Sequence, residues 1–79
     1  MINYQNELNR CVTLVKSDPI SAINEMAFLR EDSVYSPLRE KQWIKAAVQI
    51  NSYLDSLEKT RYYKESEFWK KQKPARLEI

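Results

Sequence analysis

The chain contains no glycine in 79 residues. Glycine supplies the positive-φ positions of tight hairpin turns, so a chain without it has few residues suited to two-residue β-hairpins. With only three prolines to interrupt helical runs, the sequence points to an all-α fold. The composition, 43% hydrophobic and 30% charged, is that of a folded domain and not of a disordered chain. A core this small gives only a modest surplus over chain entropy, so association with a second copy or a partner is a recurrent solution at this size.

The longest periodic stretch starts at Ser36-Pro37. Serine suits the N-cap, and proline suits the first helical position, where its missing N–H costs nothing. Trp43, Ala47, Ile50, Leu54 and Leu57 then recur at spacings of four and three, one face of a 3.6-residue period. That stripe continues through Arg61 and Lys64 to Phe68, turning polar before one aromatic returns. A second stripe carries Ile44, Val48, Tyr62 and Trp69. The helix is expected to run from Ser36 to about Lys71, a length of roughly 50 Å at 1.5 Å per residue. Thr60, β-branched and beside the change of character, is its weakest link.

Two shorter helices precede it. The first is expected over about Tyr4–Lys16, capped by Asn3, with Tyr4, Leu8, Cys11, Val12 and Val15 on its apolar side. Ser17-Asp18-Pro19 is a stop followed by a start. The second helix is then expected over Pro19–Arg30, with Ile20, Ile23 and Ala27 as a stripe that Met26, Leu29 and Ala22 widen. So apolar a helix should be largely buried. Residues 31–35 read as a short connection. The expected fold is a small three-helix bundle with a long C-terminal helix, and a break near Thr60 would give a fourth short helix. Residues 1–73 form the expected domain, and 74–79 a flexible tail.

Several chemistries lack their residues. Histidine is absent, removing the commonest general base and metal ligand. Absence of glycine removes the phosphate-cradling loops and the dinucleotide fingerprint. Cys11 stands alone, so no internal disulfide framework exists, and no histidine is present to activate it. It reads as a small buried hydrophobe. Glu31/Asp32 and Glu65/Glu67 read as solvated surface. No catalytic residue, cofactor, metal site or small-molecule substrate is expected. No leader and no membrane-spanning run is visible in these residues, which points to the cytosol.

The remaining constellation is basic and aromatic. Net charge is +2, divided as −2 over residues 1–35 and +4 over 36–79. Lys59, Arg61, Lys64, Lys70, Lys71, Lys73 and Arg76 are interleaved with Tyr62, Tyr63, Phe68 and Trp69. Aromatics with polar tips are enriched at protein interfaces. Past Leu57 the two shorter helices have no matching length to cover them. Either this half reaches another chain or it folds back on its own core. The expected function is therefore that of a small regulatory or interaction protein. It would bind another protein, or a second copy of itself, through Tyr62, Tyr63, Phe68 and Trp69. The alternative is nucleic-acid binding. Arg61, Lys64, Lys70, Lys71, Lys73 and Arg76 would contact phosphates, as would Arg39 and Lys41 at the start of the third helix in a helix-turn-helix arrangement. A structural oligomer is the third class, and the gene type that such a chain suits is a phage or plasmid accessory protein.

Overall fold

A computed structural model describes residues 3–59 and 76–79. Three helices make up the described fold: α1, Tyr4–Leu14; α2, Pro19–Ser33; and α3, Pro37–Lys59. Each packs on the other two. The fold is an all-α three-helix bundle, as expected, and no described residue has positive φ. The expected continuation of α3 to Lys71, the break at Thr60 and a fourth helix all fall outside the described residues.

Local chemistry sets the helix starts. Asn3 accepts a hydrogen bond from the Asn6 N–H at 3.3 Å. Asp18 caps α2: one carboxylate oxygen accepts from the Ser21 N–H at 3.2 Å, the other from the Ser21 hydroxyl at 2.7 Å. These bonds, the hydroxyl's first, hold the Asp18 carboxyl below its usual pKa. Ser36 ties α3 through its carbonyl, which accepts from the Glu40 N–H at 3.0 Å.

The helix ends differ from expectation. α1 stops at Leu14, not Lys16, where the Lys16 and Ser17 N–H groups turn to carbonyls three residues back, those of Thr13 and Leu14, and the Ser17 hydroxyl also donates to the Leu14 carbonyl. These contacts close the last turn and release the chain towards Pro19. α2 runs past Arg30 to Ser33. Glu31 and Asp32 do not break a helix, and the buried Ser33 hydroxyl donates to the Arg30 carbonyl at 2.6 Å. The connection shrinks to residues 34–36.

The core is Leu8, Cys11, Val15, Ala22, Met26, Trp43, Ala46, Ala47, Ile50 and Leu54. On α3 these residues occupy an arc of roughly 100°, taking 100° per residue. Ile44 lies at its margin, half-buried, while Val48 lies beyond it and is largely exposed. Of the second apolar stripe expected on α3, Ile44 packs at the edge of the core and Val48 does not, while Tyr62 and Trp69 lie outside the described residues. Ala46 and Ala47 face the other helices, and their small side chains let the helices approach closely.

On α2 the inward residues are Ala22, Met26 and Ser33, with Leu29 packed beside them. The expected stripe of Ile20, Ile23 and Ala27 is about a third of a turn away: Ala27 is exposed and the isoleucines are half-buried. Nor is α2 largely buried, since Phe28 is 72% exposed. Apolar residues surround this helix almost evenly, so periodicity alone does not select its inner side.

Two polar contacts between helices orient the bundle. The Trp43 indole Nε1 donates to the Met26 carbonyl at 2.8 Å inside the core. The Tyr4 hydroxyl donates to the Leu29 carbonyl at 2.7 Å at the core's edge. Removing a buried donor from a carbonyl costs about 1–3 kcal/mol, and truncating the indole adds lost contacts. Trp43→Phe should destabilise the protein by about 2–3 kcal/mol and Tyr4→Phe by about 1 kcal/mol. Urea unfolding followed by helical circular dichroism checks both. A smaller effect for Trp43→Phe than for Tyr4→Phe would contradict this assignment of the core.

Candidate functional site

Cys11 is the one thiol in the chain, and its surroundings suppress its reactivity. It sits on the inner face of α1, fully buried. Its thiol points to Glu25 on α2, with Sγ 3.7 Å from the carboxylate. Burial pushes the thiol up to about 11, and the Glu25 charge acts in the same direction. A thiolate is therefore disfavoured where a nucleophile would need one. Glu25 also holds Arg10 at 2.8 Å, and Arg10 holds Glu7 at 2.8 Å. This half-exposed bridge ties α1 to α2 at the surface. Among the described residues no three histidine, cysteine or carboxylate side chains gather as a metal site. No described helix is long and apolar enough to cross a membrane.

The sequence-derived binding residues divide into two sets. Tyr62, Tyr63, Phe68, Trp69, Arg61, Lys64, Lys70, Lys71 and Lys73 lie outside the described residues. Arg39, Lys41 and Arg76 lie within them. Arg39 and Lys41 are exposed on the first turns of α3. The Arg39 guanidinium lies over the Tyr4 ring, 5.5 Å from its centroid.

Arg76 has a different setting. Its Nε donates to Asp55 and its Nη2 to Glu58, each at 2.7 Å. Two carboxylates on α3 thus hold its guanidinium. The neighbouring residues are held equally closely. Asn51 pairs with the Leu77 main chain at 2.9 Å in both directions, its amide donating to the Leu77 carbonyl and its oxygen accepting from the Leu77 N–H. Arg30, which also lies 4.9 Å over the Trp43 ring, donates to the Glu78 carbonyl at 2.7 Å. Residues 76–79, the described part of the expected flexible tail, therefore lie along α3, with Leu77 packed against the core. Ile79 joins Arg30, Ser33, Val34, Glu40, Trp43 and Ile44 around a depression of ≈ 360 Å³.

An apolar corner completes the described surface. Val34, Tyr35 and Leu38, at the α2–α3 connection, are 77%, 80% and 65% exposed. The sequence reading does not single them out, because Val34 and Tyr35 stand in what reads as a polar connection and Leu38 in a charged first turn. Asn51 was equally missed: a lone asparagine on a helix carries no periodic or motif signal.

Comparison of the chain with protein-family models, curated proteins and solved structures finds no match.

The Cys11 environment has a checkable pH consequence. The thiol titrates near 9.0 in the open chain and near 11 in the fold. Below pH 9 both states hold the proton and the contribution is constant. Between about pH 9 and 11 only the unfolded chain loses it, so stability falls with rising pH by about 2–3 kcal/mol. Cys11→Ala should lack this component, and urea midpoints of the two proteins across that range measure it. Parallel pH curves would show that the thiol is not shielded as described.

Proposed function

We propose that this chain is a non-catalytic interaction protein that acts by binding another protein. The observation that carries the reading is the α2–α3 corner. In a domain with only ten buried apolar residues in its described core, three large apolar side chains stand uncovered within five positions. Isolated exposed apolar residues are ordinary, whereas a cluster of them marks interfaces. The suppressed Cys11 thiol fits the same reading, because its burial disfavours the thiolate that thiol chemistry near neutral pH would need.

The aromatic–basic segment from the sequence is the second support. Tyr62, Tyr63, Phe68 and Trp69 are the residue types that anchor protein interfaces, and Trp69 is the strongest single candidate. An anchor truncated to alanine costs about 2 kcal/mol or more of binding, about thirtyfold in affinity. A core residue truncated in the same way destabilises the fold instead.

Trp69→Ala should therefore weaken association by about thirtyfold or more while leaving urea unfolding unchanged. Sedimentation of the purified protein gives the first readout. A concentration-dependent dimer split by Trp69→Ala makes the partner a second copy. For a monomer, in-cell cross-linking with the variant as control identifies the partner. Loss of folding in Trp69→Ala, or cross-linked species unchanged by it, overturns the assignment. Association that weakens steeply as salt rises would instead favour nucleic acid, with exposed Arg39 and Lys41 among the contacts.

A further inference from the structure

Residues 76–79 are held by side chains of α2 and α3 that take both their main-chain and their side-chain groups. Asn51, Asp55 and Glu58 project from one face of α3 at helical spacing. Asp55 and Glu58 take the Arg76 guanidinium. Asn51 takes both main-chain groups of Leu77. Arg30, from α2, takes the Glu78 carbonyl. Ile79 reaches the depression beside Trp43 and Ile44. The segment thus runs back along α3, opposite to the helix direction.

This is how a protein reads an extended peptide. A side-chain amide paired with one residue's N–H and C=O recognises main chain whatever the side chain, as an added strand would. Selectivity then comes from what flanks that pair. Here an acidic pair selects a cation, half-buried apolar surface selects the residue after it, and the depression selects an apolar residue two positions further on. Occupancy by the chain's own segment is imperfect. Arg76 Nη1 is buried without a hydrogen-bond partner among the described residues, an arrangement that costs free energy. A differently seated arginine could complete its bonds.

We propose that this face of α3 is a recognition site for extended Arg-Leu-x-Ile segments, filled in the free protein by residues 76–79. A partner protein carrying such a segment docks by displacing them. The site deepens the reading of the chain as a protein-binding module and gives that module a ligand of defined chemistry. It is independent of Trp69, so failure of one leaves the other standing.

The test uses the whole 79-residue chain with Arg76→Ala and Leu77→Ala, which weakens the resident segment. A fluorescein-labelled peptide of sequence Ala-Arg-Leu-Glu-Ile serves as the probe, read by fluorescence anisotropy. The peptide should bind this variant saturably and at least about tenfold more tightly than the unaltered protein, where it must compete. Adding Asn51→Ala, or N-methylating the peptide leucine, should remove about tenfold or more of that affinity, since each breaks the main-chain pair. Equal binding to both proteins, or indifference to N-methylation, overturns the proposal. Should the double variant lose its helical signal, the peptide is titrated into unaltered protein labelled with nitrogen-15. Progressive movement of the Asn51 side-chain amide resonances supports displacement, and stationary resonances at millimolar peptide overturn it. A dimer of the unaltered protein that the double variant splits would make the occupant a second copy's segment and overturn the partner version.

Discussion

The Trp43 indole is the contact on which most of this bundle depends. Its ring lies in the core, and its one polar atom is satisfied by the Met26 carbonyl. A buried indole without an acceptor would oppose the packing that its area favours. The pairing therefore fixes how α2 lies on α3. It also fixes Arg30, whose guanidinium covers the outer side of the indole and extends to the Glu78 carbonyl. One residue thus links the interior packing of two helices to the placement of a segment far along the chain.

Much of the fold is legible in the sequence because it is written in local chemistry. Asn3 and Asp18-Pro19 cap helices through their own side chains and backbone, independent of what the helices later touch. The face of α3 is legible because Trp43, Ala47, Ile50 and Leu54 are the large or small apolar residues of one arc with charges opposite. The face of α2 is not. Its apolar residues lie all around it, and the choice between the Ala22–Met26 side and the Ile20–Ala27 side is made by helices that are distant in sequence. Tertiary packing overrides local pattern there.

The candidate site shows the same division. Cys11 is readable as a buried thiol from its place on the apolar side of α1. Arg76 reads as one cation in a basic run, but Asp55 and Glu58 determine what it does, and they precede it by about twenty residues. Asn51 has no sequence signature because its role is to pair with a backbone amide, and a backbone amide has no side-chain identity to search for. The apolar corner at Val34 and Tyr35 was hidden because α2 extends further than its composition suggests, which compresses the connection and leaves those side chains outward.

Neither connection between helices uses a residue with positive φ. The residues that close α1 and α2 are Val15 and Val34, each in the right-handed helical region. A β-branched side chain would be strongly disfavoured in the left-handed geometry at which many helices end. These joints accordingly impose no chirality demand on the amino acid that occupies them. Glycine-terminated helices tie their corners to one residue type, and substitution there is heavily penalised. In this chain, evolutionary drift at the corners is limited by outside contacts and by the register of the core, not by backbone handedness. The α2–α3 corner could therefore exchange its surface side chains, and with them what it touches, while the three helices keep their arrangement.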